Sequence, residues 1–170
     1  MRALSYPDDI RDGNSQSVLL LRCSGNPLDH SCMHAAPAVF YSWESDLPNK
    51  TNRGLIEDAI EQAVKGLNIK AERALRIDSD TKDEPGSPNI PAVIFTKIPT
   101  SAIFVGDVSI VQSEETKGRR TPNPNVLIEL GFAAYALGWE RVIMVMNTHF
   151  GPVTFLPFDL QQHKFPIGYE

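Results

Sequence analysis

Apolar residues fall in short blocks along this chain, and the blocks are of two alternating kinds. The first kind is a brief, largely continuous run: Ala38 to Tyr41, Ala74 to Ile77, Ala102 to Val111 and Val142 to Met146. Runs of this length without clean alternation read as strands covered on both faces, the usual state in a parallel sheet. A short fifth strand is expected near Lys164 to Tyr169. The second kind is spaced at helical intervals. Leu55, Ile56, Ala59, Ile60, Ala63, Val64 and Leu67 form an i, i+4 stripe over more than three turns, with Asn49, Thr51 and Asn52 as possible caps. Gly66 and Asn68 read as its end. Ser87-Pro88 reads as the start of a second helix through Ile90, Ile94 and Ile98, with Pro91 in its first turn, where a missing N–H does little harm. Thr121-Pro122-Asn123-Pro124-Asn125 leads into a third helix, Val126 to Leu137, with the second Asn as cap and Gly138 as closure.

Strand, helix, strand, helix, strand, helix, strand implies helices on both faces of a parallel sheet. The fold expected is α/β, a flavodoxin-like three-layer open sheet of four to five strands in the order 2-1-3-4-5. Residues 1–36 break the pattern. They carry Asp, Gly, Asn, Ser and Pro without sustained period, apart from a short run at Ser17 to Cys23, and are expected to be a poorly ordered extension ahead of a domain at 37–170. That domain stops where a last helix is expected.

Composition narrows the function. With 42% hydrophobic and 22% charged residues, the 170-residue chain is ordinary globular material. No apolar stretch approaches the ~20 residues of a membrane span, and no signal-peptide core is evident, so a cytoplasmic protein is expected. The formal charge of −5 argues against a nucleic-acid partner. Lys117, Arg119 and Arg120 form a basic cluster suited to one small anion. Cys23, Cys32, His30 and His34 lie close together, but their spacing fits no familiar zinc pattern, so no metal and no disulfide is expected. No Gly-rich phosphate loop is present, which disfavours ATPase and hydride-transfer chemistry.

In open parallel sheets, ligands bind beyond the carboxyl ends of the strands where strand order reverses. For the order 2-1-3-4-5 that point lies between strands one and three, so the segments after them should hold the site. After strand one stands Tyr41-Ser42-Trp43-Glu44-Ser45-Asp46, an aromatic pair beside hydroxyls and carboxylates, suited to stacking a planar ring and binding its sugar. After strand three come Asp107 and the run Asn123-Pro124-Asn125-Val126-Leu127-Ile128-Glu129-Leu130-Gly131. Glu129 sits in the first turns of an apolar helix. The helix end favours its ionised form, and partial burial opposes it.

Phe40-Tyr41-Ser42-Trp43, Asp80-Thr81, Pro85 to Ile90, Val105-Gly106-Asp107-Val108-Ser109 and Pro122 to Ala133 together resemble bacterial TIR-like domains, over roughly residues 38–169. Glu129-Leu130-Gly131-Phe132-Ala133 is also similar to the catalytic helix of nucleoside deoxyribosyltransferases. The resemblance implies cleavage of the nicotinamide–ribose bond of NAD, often in defence against phage. It assigns the catalytic role to Glu129 and implies sites completed by a neighbouring protomer, hence a homo-oligomer. NAD enters as substrate, and no cofactor is expected. By position, Tyr41 or Trp43 would stack a ring, Ser42 and Asp107 would contact substrate, Asn123 and Asn125 would orient the ribose or Glu129, and Arg119 or Arg120 would face the pyrophosphate. The alternatives are a non-catalytic module that binds a nucleotide signal, a scaffold acting through contacts between like domains, and nucleoside deoxyribosyl transfer.

Overall fold

The computed structural model describes residues 36–71, 74–80, 89–111 and 120–170. Expectations that fall on residues 1–35, the Ser17 to Cys23 run and the cysteines and histidines among them, lie outside the described residues.

Five strands form one sheet: β1 (Ala38–Ser42), β2 (Arg76–Asp78), β3 (Ile103–Asp107), β4 (Val142–Asn147) and β5 (Ile167–Tyr169). Their order is β2-β1-β3-β4-β5 and every pairing is parallel. This is the flavodoxin-like arrangement that the alternating blocks predict.

Side-chain parity along the central strands sorts the core into two layers. Phe40 and Phe104 point to one face, where their rings stack with centroids 6.0 Å apart. They pack there with Ile94 and Ile98 and with Leu130, Ala133 and Leu137 of a helix. Val39, Tyr41 and Val105 point to the other face, against Ile56 and Val64. Burying each large apolar side chain contributes roughly 1.5–3 kcal/mol. Gly106 returns to the first face. A Cβ there would lie 3.0 Å from the Phe104 ring and 3.5 Å from Leu130, so its bareness lets the covering helix sit close beside Ser42, its register partner.

Helix α1 (Arg53–Ala71) covers the second face. Only its Ile56, Ile60 and Val64 line turns inward, whereas Leu55, Ala59, Ala63 and Leu67 are exposed. The broad stripe expected from sequence is therefore narrower in fact, because the residues one position back lie about 100° round the helix from the sheet. The helix also runs past Gly66 and Asn68. Asn68 does not end it. Its side-chain amide donates to the Leu75 carbonyl at 3.1 Å and its oxygen accepts from the Leu75 N–H at 2.7 Å, fastening the approach to β2.

The first face carries α2 (Ile90–Lys97) and α3 (Pro124–Leu137). Asn89 caps α2, accepting from the Ala92 N–H at 3.1 Å. The Ser87-Pro88 start expected from sequence lies outside the described residues. In α3 the cap is Asn123, not Asn125: its oxygen accepts from the Asn125 N–H at 2.9 Å. Pro124 decides this, since its fixed φ and missing N–H suit the first helical position. Gly138 closes α3 with φ 82°, a left-handed value that favours glycine. Between β4 and β5 lie single turns of 3-10 helix and a four-residue helix, α4 (Phe158–Gln161). Among the described residues, no helix is long and apolar enough to cross a membrane.

Candidate active site

A cavity of about 460 Å³ opens beyond the carboxyl end of β1, one of the two strands at the reversal of strand order. Its volume is in the range of small-molecule sites. Ile90, Pro91, Ile94 and Phe95 of α2 and Ile128 of α3 form its apolar wall. The polar lining comes from Ser42, Glu44 and Ser45 after β1, from Asp80 after β2, and from Asn123, Asn125 and Glu129 at the start of α3.

Two elements bring Glu129 and Ser42 together. Ser42 shares the parity of Phe40, so it points toward α3, and the next buried contact of that helix is Leu130 against β3. Glu129 precedes Leu130 on the flank of the buried stripe and is half-buried. The Ser42 hydroxyl donates to Glu129 Oε2 at 2.6 Å, a short bond of the kind an ionised acceptor makes. Among the described residues, no other hydrogen bond reaches the Glu129 carboxylate. Burial raises the Glu129 pKa above its ordinary value. The Ser42 bond opposes that rise, and the negative charge of Asp80 adds to it.

Two further carboxylates line the cavity, Glu44 from the segment after β1 that the sequence singles out and Asp80 from the residues after β2. Glu44 is 2% exposed. It accepts the backbone N–H of Asp46 at 2.5 Å and of Leu47 at 3.1 Å, so it shapes its own loop. Burial raises its pKa, and those two N–H donors pull the other way. Asp80 adopts φ 25°, a left-handed backbone sparsely populated by residues other than glycine. Such strain clusters at functional sites. The apolar wall was legible only as helix core: Ile90 is 53% exposed, an apolar side chain turned to the cavity rather than to the sheet. No group of three or more His, Cys, Asp or Glu among the described residues is arranged to hold a metal ion.

The other expected site residues divide. Asn123 and Asn125 line the cavity, but Asn123 is committed at both ends, since its amide also donates to Asp46 Oδ2 at 3.0 Å. Asn125 is exposed at the rim. Trp43 lines the cavity with the Arg53 guanidinium stacked 3.5 Å from its ring centroid. That cation occupies one ring face, so at most the other can meet a ligand.

Tyr41 corrects the sequence reading. It borders the cavity, but it is 1% exposed and its ring packs with Val39, Ile56 and Val105 on the α1 face. Burial raises the pKa of its hydroxyl far above the ordinary value. The ring is core and not a stacking platform, because residue 41 has the opposite parity to residue 42.

Asp107 is a second correction. It shares the parity of Val105 and turns away from the cavity toward α1, where it is fully buried. There it accepts from the Ser109 N–H at 3.0 Å, the Ser109 hydroxyl at 2.5 Å and the Asn52 amide at 3.4 Å. Asn52 and Ser109 in turn engage Asn147. Asp107 therefore joins β3, β4 and α1 rather than touching a ligand. Arg119 lies outside the described residues. Arg120 stacks over the Phe155 ring at 5.0 Å and does not line the cavity.

No protein-family model matches this chain, and no curated protein matches it. Among solved structures it is similar to a 2-desoxiribosyltransferase from Leishmania mexicana, at 17% identity and a TM-score of 0.40. The match covers 65% of this chain and 65% of that one, just under two thirds of its length. A likeness this distant does not bear on the chemistry.

Proposed function

We propose that this protein is a TIR-like NAD glycohydrolase with Glu129 at its reacting centre. The single observation behind this is a half-buried carboxylate held by one short bond from Ser42, beside a cavity whose opposite side is apolar. Hydrolysis of an N-glycoside passes through an oxocarbenium-like transition state. Nicotinamide leaves as a neutral ring, so no strong general acid is needed. The task left to the protein is to stabilise positive charge growing on the ribose, and a fixed carboxylate in a partly dry site does that well. Ser42 fixes the orientation of Glu129 and favours its ionised form. The α2 wall supplies apolar surface for the leaving ring. The TIR-like reading also carries self-assembly and a role in anti-phage defence.

The test is to incubate the concentrated protein with NAD and resolve the nucleotides by chromatography. Nicotinamide with ADP-ribose, linear or cyclic, is expected from the wild type and is absent from Glu129→Gln. Intact NAD in the wild-type reaction, or unchanged turnover in the variant, would sink the assignment.

The exposed apolar residues of α1, among them Leu55 and Leu67 at 44% and 47%, support a second reading as a scaffold that joins copies of itself. That reading makes Glu129 dispensable and Leu55→Glu disruptive, which sedimentation of both variants distinguishes.

A further inference from the structure

Glu44 and Glu129 both line the cavity, but their carboxylates are engaged differently. Among the described residues Glu129 meets one donor, the Ser42 hydroxyl of another element. The Glu44 carboxylate turns back on its own loop. Its Oε2 accepts the Asp46 N–H at 2.5 Å and the Leu47 N–H at 3.1 Å, and its Oε1 shares that second N–H at 3.2 Å. An ionised carboxylate offers about four lone-pair sites, so these three contacts leave little for a ligand. Both oxygens accept, which suits a carboxylate and not an amide, since one end of an amide is a donor. The loop held in this way carries more than itself. Trp43 and Ser45, on either side of Glu44, line the cavity. Asp46 accepts the Asn123 side-chain amide at 3.0 Å, and Asn123 in turn caps α3. Glu44 is therefore the buried end of a relay of hydrogen bonds that runs from the end of β1 to the cap of α3. The link from Asp46 to Asn123 lies at the surface, where water competes for both partners. A loop already fixed from beneath has less freedom to lose when that link forms.

We propose that Glu44 is a positioning residue for the substrate, acting through its loop on ground-state binding and not on the bond that breaks. This rests on the glycohydrolase reading of the same cavity. A displaced loop weakens the hold on substrate and transition state alike. Such a loss appears in KM while kcat is retained. Loss of the Glu129 charge has the opposite signature, because that charge acts only as the transition state forms. The two carboxylates therefore divide the work of one cavity, one by holding its wall and the other by facing the reacting atoms.

The test uses the full chain with NAD as substrate. Glu44→Ala is expected to raise KM about five- to tenfold, with kcat within about threefold of the wild type. Glu44→Gln keeps the volume and one acceptor, so a smaller rise is expected, and it stands in if the alanine variant does not fold. Asp46→Ala should give part of the same rise. The double variant should fall short of the product of the two, since both act through one relay. The Asn123 side-chain amide reports on the relay without substrate. Its proton resonances are expected to shift in Glu44→Gln in the same direction as in Asp46→Ala. If kcat falls about a hundredfold or more in the Glu44 variants while KM holds, Glu44 acts on the reacting bond and the inference falls. If KM is unchanged, or the Asn123 resonances do not move, the inference falls and the glycohydrolase reading is untouched. If those resonances move but the wild type leaves NAD intact, the relay stands and the glycohydrolase reading falls.

Discussion

Glu129 and Asp107 are a controlled comparison within one molecule. Asp107 ends β3 and Glu129 lies in the helix that follows it, both are at least half shielded from water, and burial raises the pKa of both. They differ in what surrounds the charge. Asp107 is enclosed by three donors from Ser109 and Asn52. Among the described residues Glu129 has one donor, Ser42, and it faces a cavity. Burial marks a carboxylate as costly to ionise, but the unoccupied side of that carboxylate is what permits chemistry. A fully satisfied acid is a joint.

The sharpest way to break the comparison is to exchange charge for amide at each position. Glu129→Gln is expected to lower NAD turnover by about a thousandfold or more, since the carboxylate acts on charge that develops in the transition state. Asp107→Asn should leave turnover within about twofold. Equal losses in a quantitative nicotinamide assay would show that the two acids are not different in kind.

Stability should respond in the opposite sense. Asp107→Ala leaves the Ser109 and Asn52 donors unpaired in the interior and should cost about 3 kcal/mol. Glu129→Ala should cost less than about 1 kcal/mol, because one side of the residue already faces open space. Midpoints of urea unfolding provide the check.

A smaller effect concerns Ser42. Its hydrogen bond lowers the Glu129 pKa against the rise from burial. Ser42→Ala should therefore move the acidic limb of the kcat/KM profile to higher pH and reduce turnover near neutrality by about five- to tenfold. An unmoved limb would show that Ser42 only fills space.

The smallest effect is a pH-dependent one. The folded pKa of Glu129 lies above its unfolded value, so the folded state holds its proton more tightly. The contribution of this group to stability is full below the unfolded pKa and is lost as pH rises through the folded one. Glutamine does not titrate. Glu129→Gln should match the wild type near pH 4 and exceed it near pH 8, each kcal/mol relieved appearing as about 2–4 °C in Tm. A gain that shrank as pH rose would reverse the sign.

Much of the architecture was legible from periodicity. The apolar runs and the Ile56–Ile60–Val64 line lie where pattern places them, and the parallel sheet followed from alternation. The segments that line the cavity, after β1 and at the start of α3, were legible too, because sheet topology sends ligands to one edge. Parity was not legible. In β1 all five residues are buried, so no alternation of polar and apolar types reveals that Tyr41 and Ser42 face opposite layers. The same blindness placed Asp107 on the wrong side. The burial of Glu44 was not legible, because its loop is rich in Ser and Asp and that burial depends on backbone N–H groups that carry no sequence signature. The choice of Asn123 over Asn125 as cap turned on Pro124, whose meaning depends on where the helix begins.

The bond from Asn123 to Asp46 spans 77 residues of sequence and 3.0 Å of space. It buckles the loop that follows Ser42 to the segment that launches Glu129. Two partners on separate elements thereby share one frame, and their spacing is fixed before any guest arrives. The same buckle sits at the rim and touches neither partner directly. Shortening or lengthening its side chains would be a way to retune the width of the entrance while leaving the Ser42–Glu129 couple undisturbed.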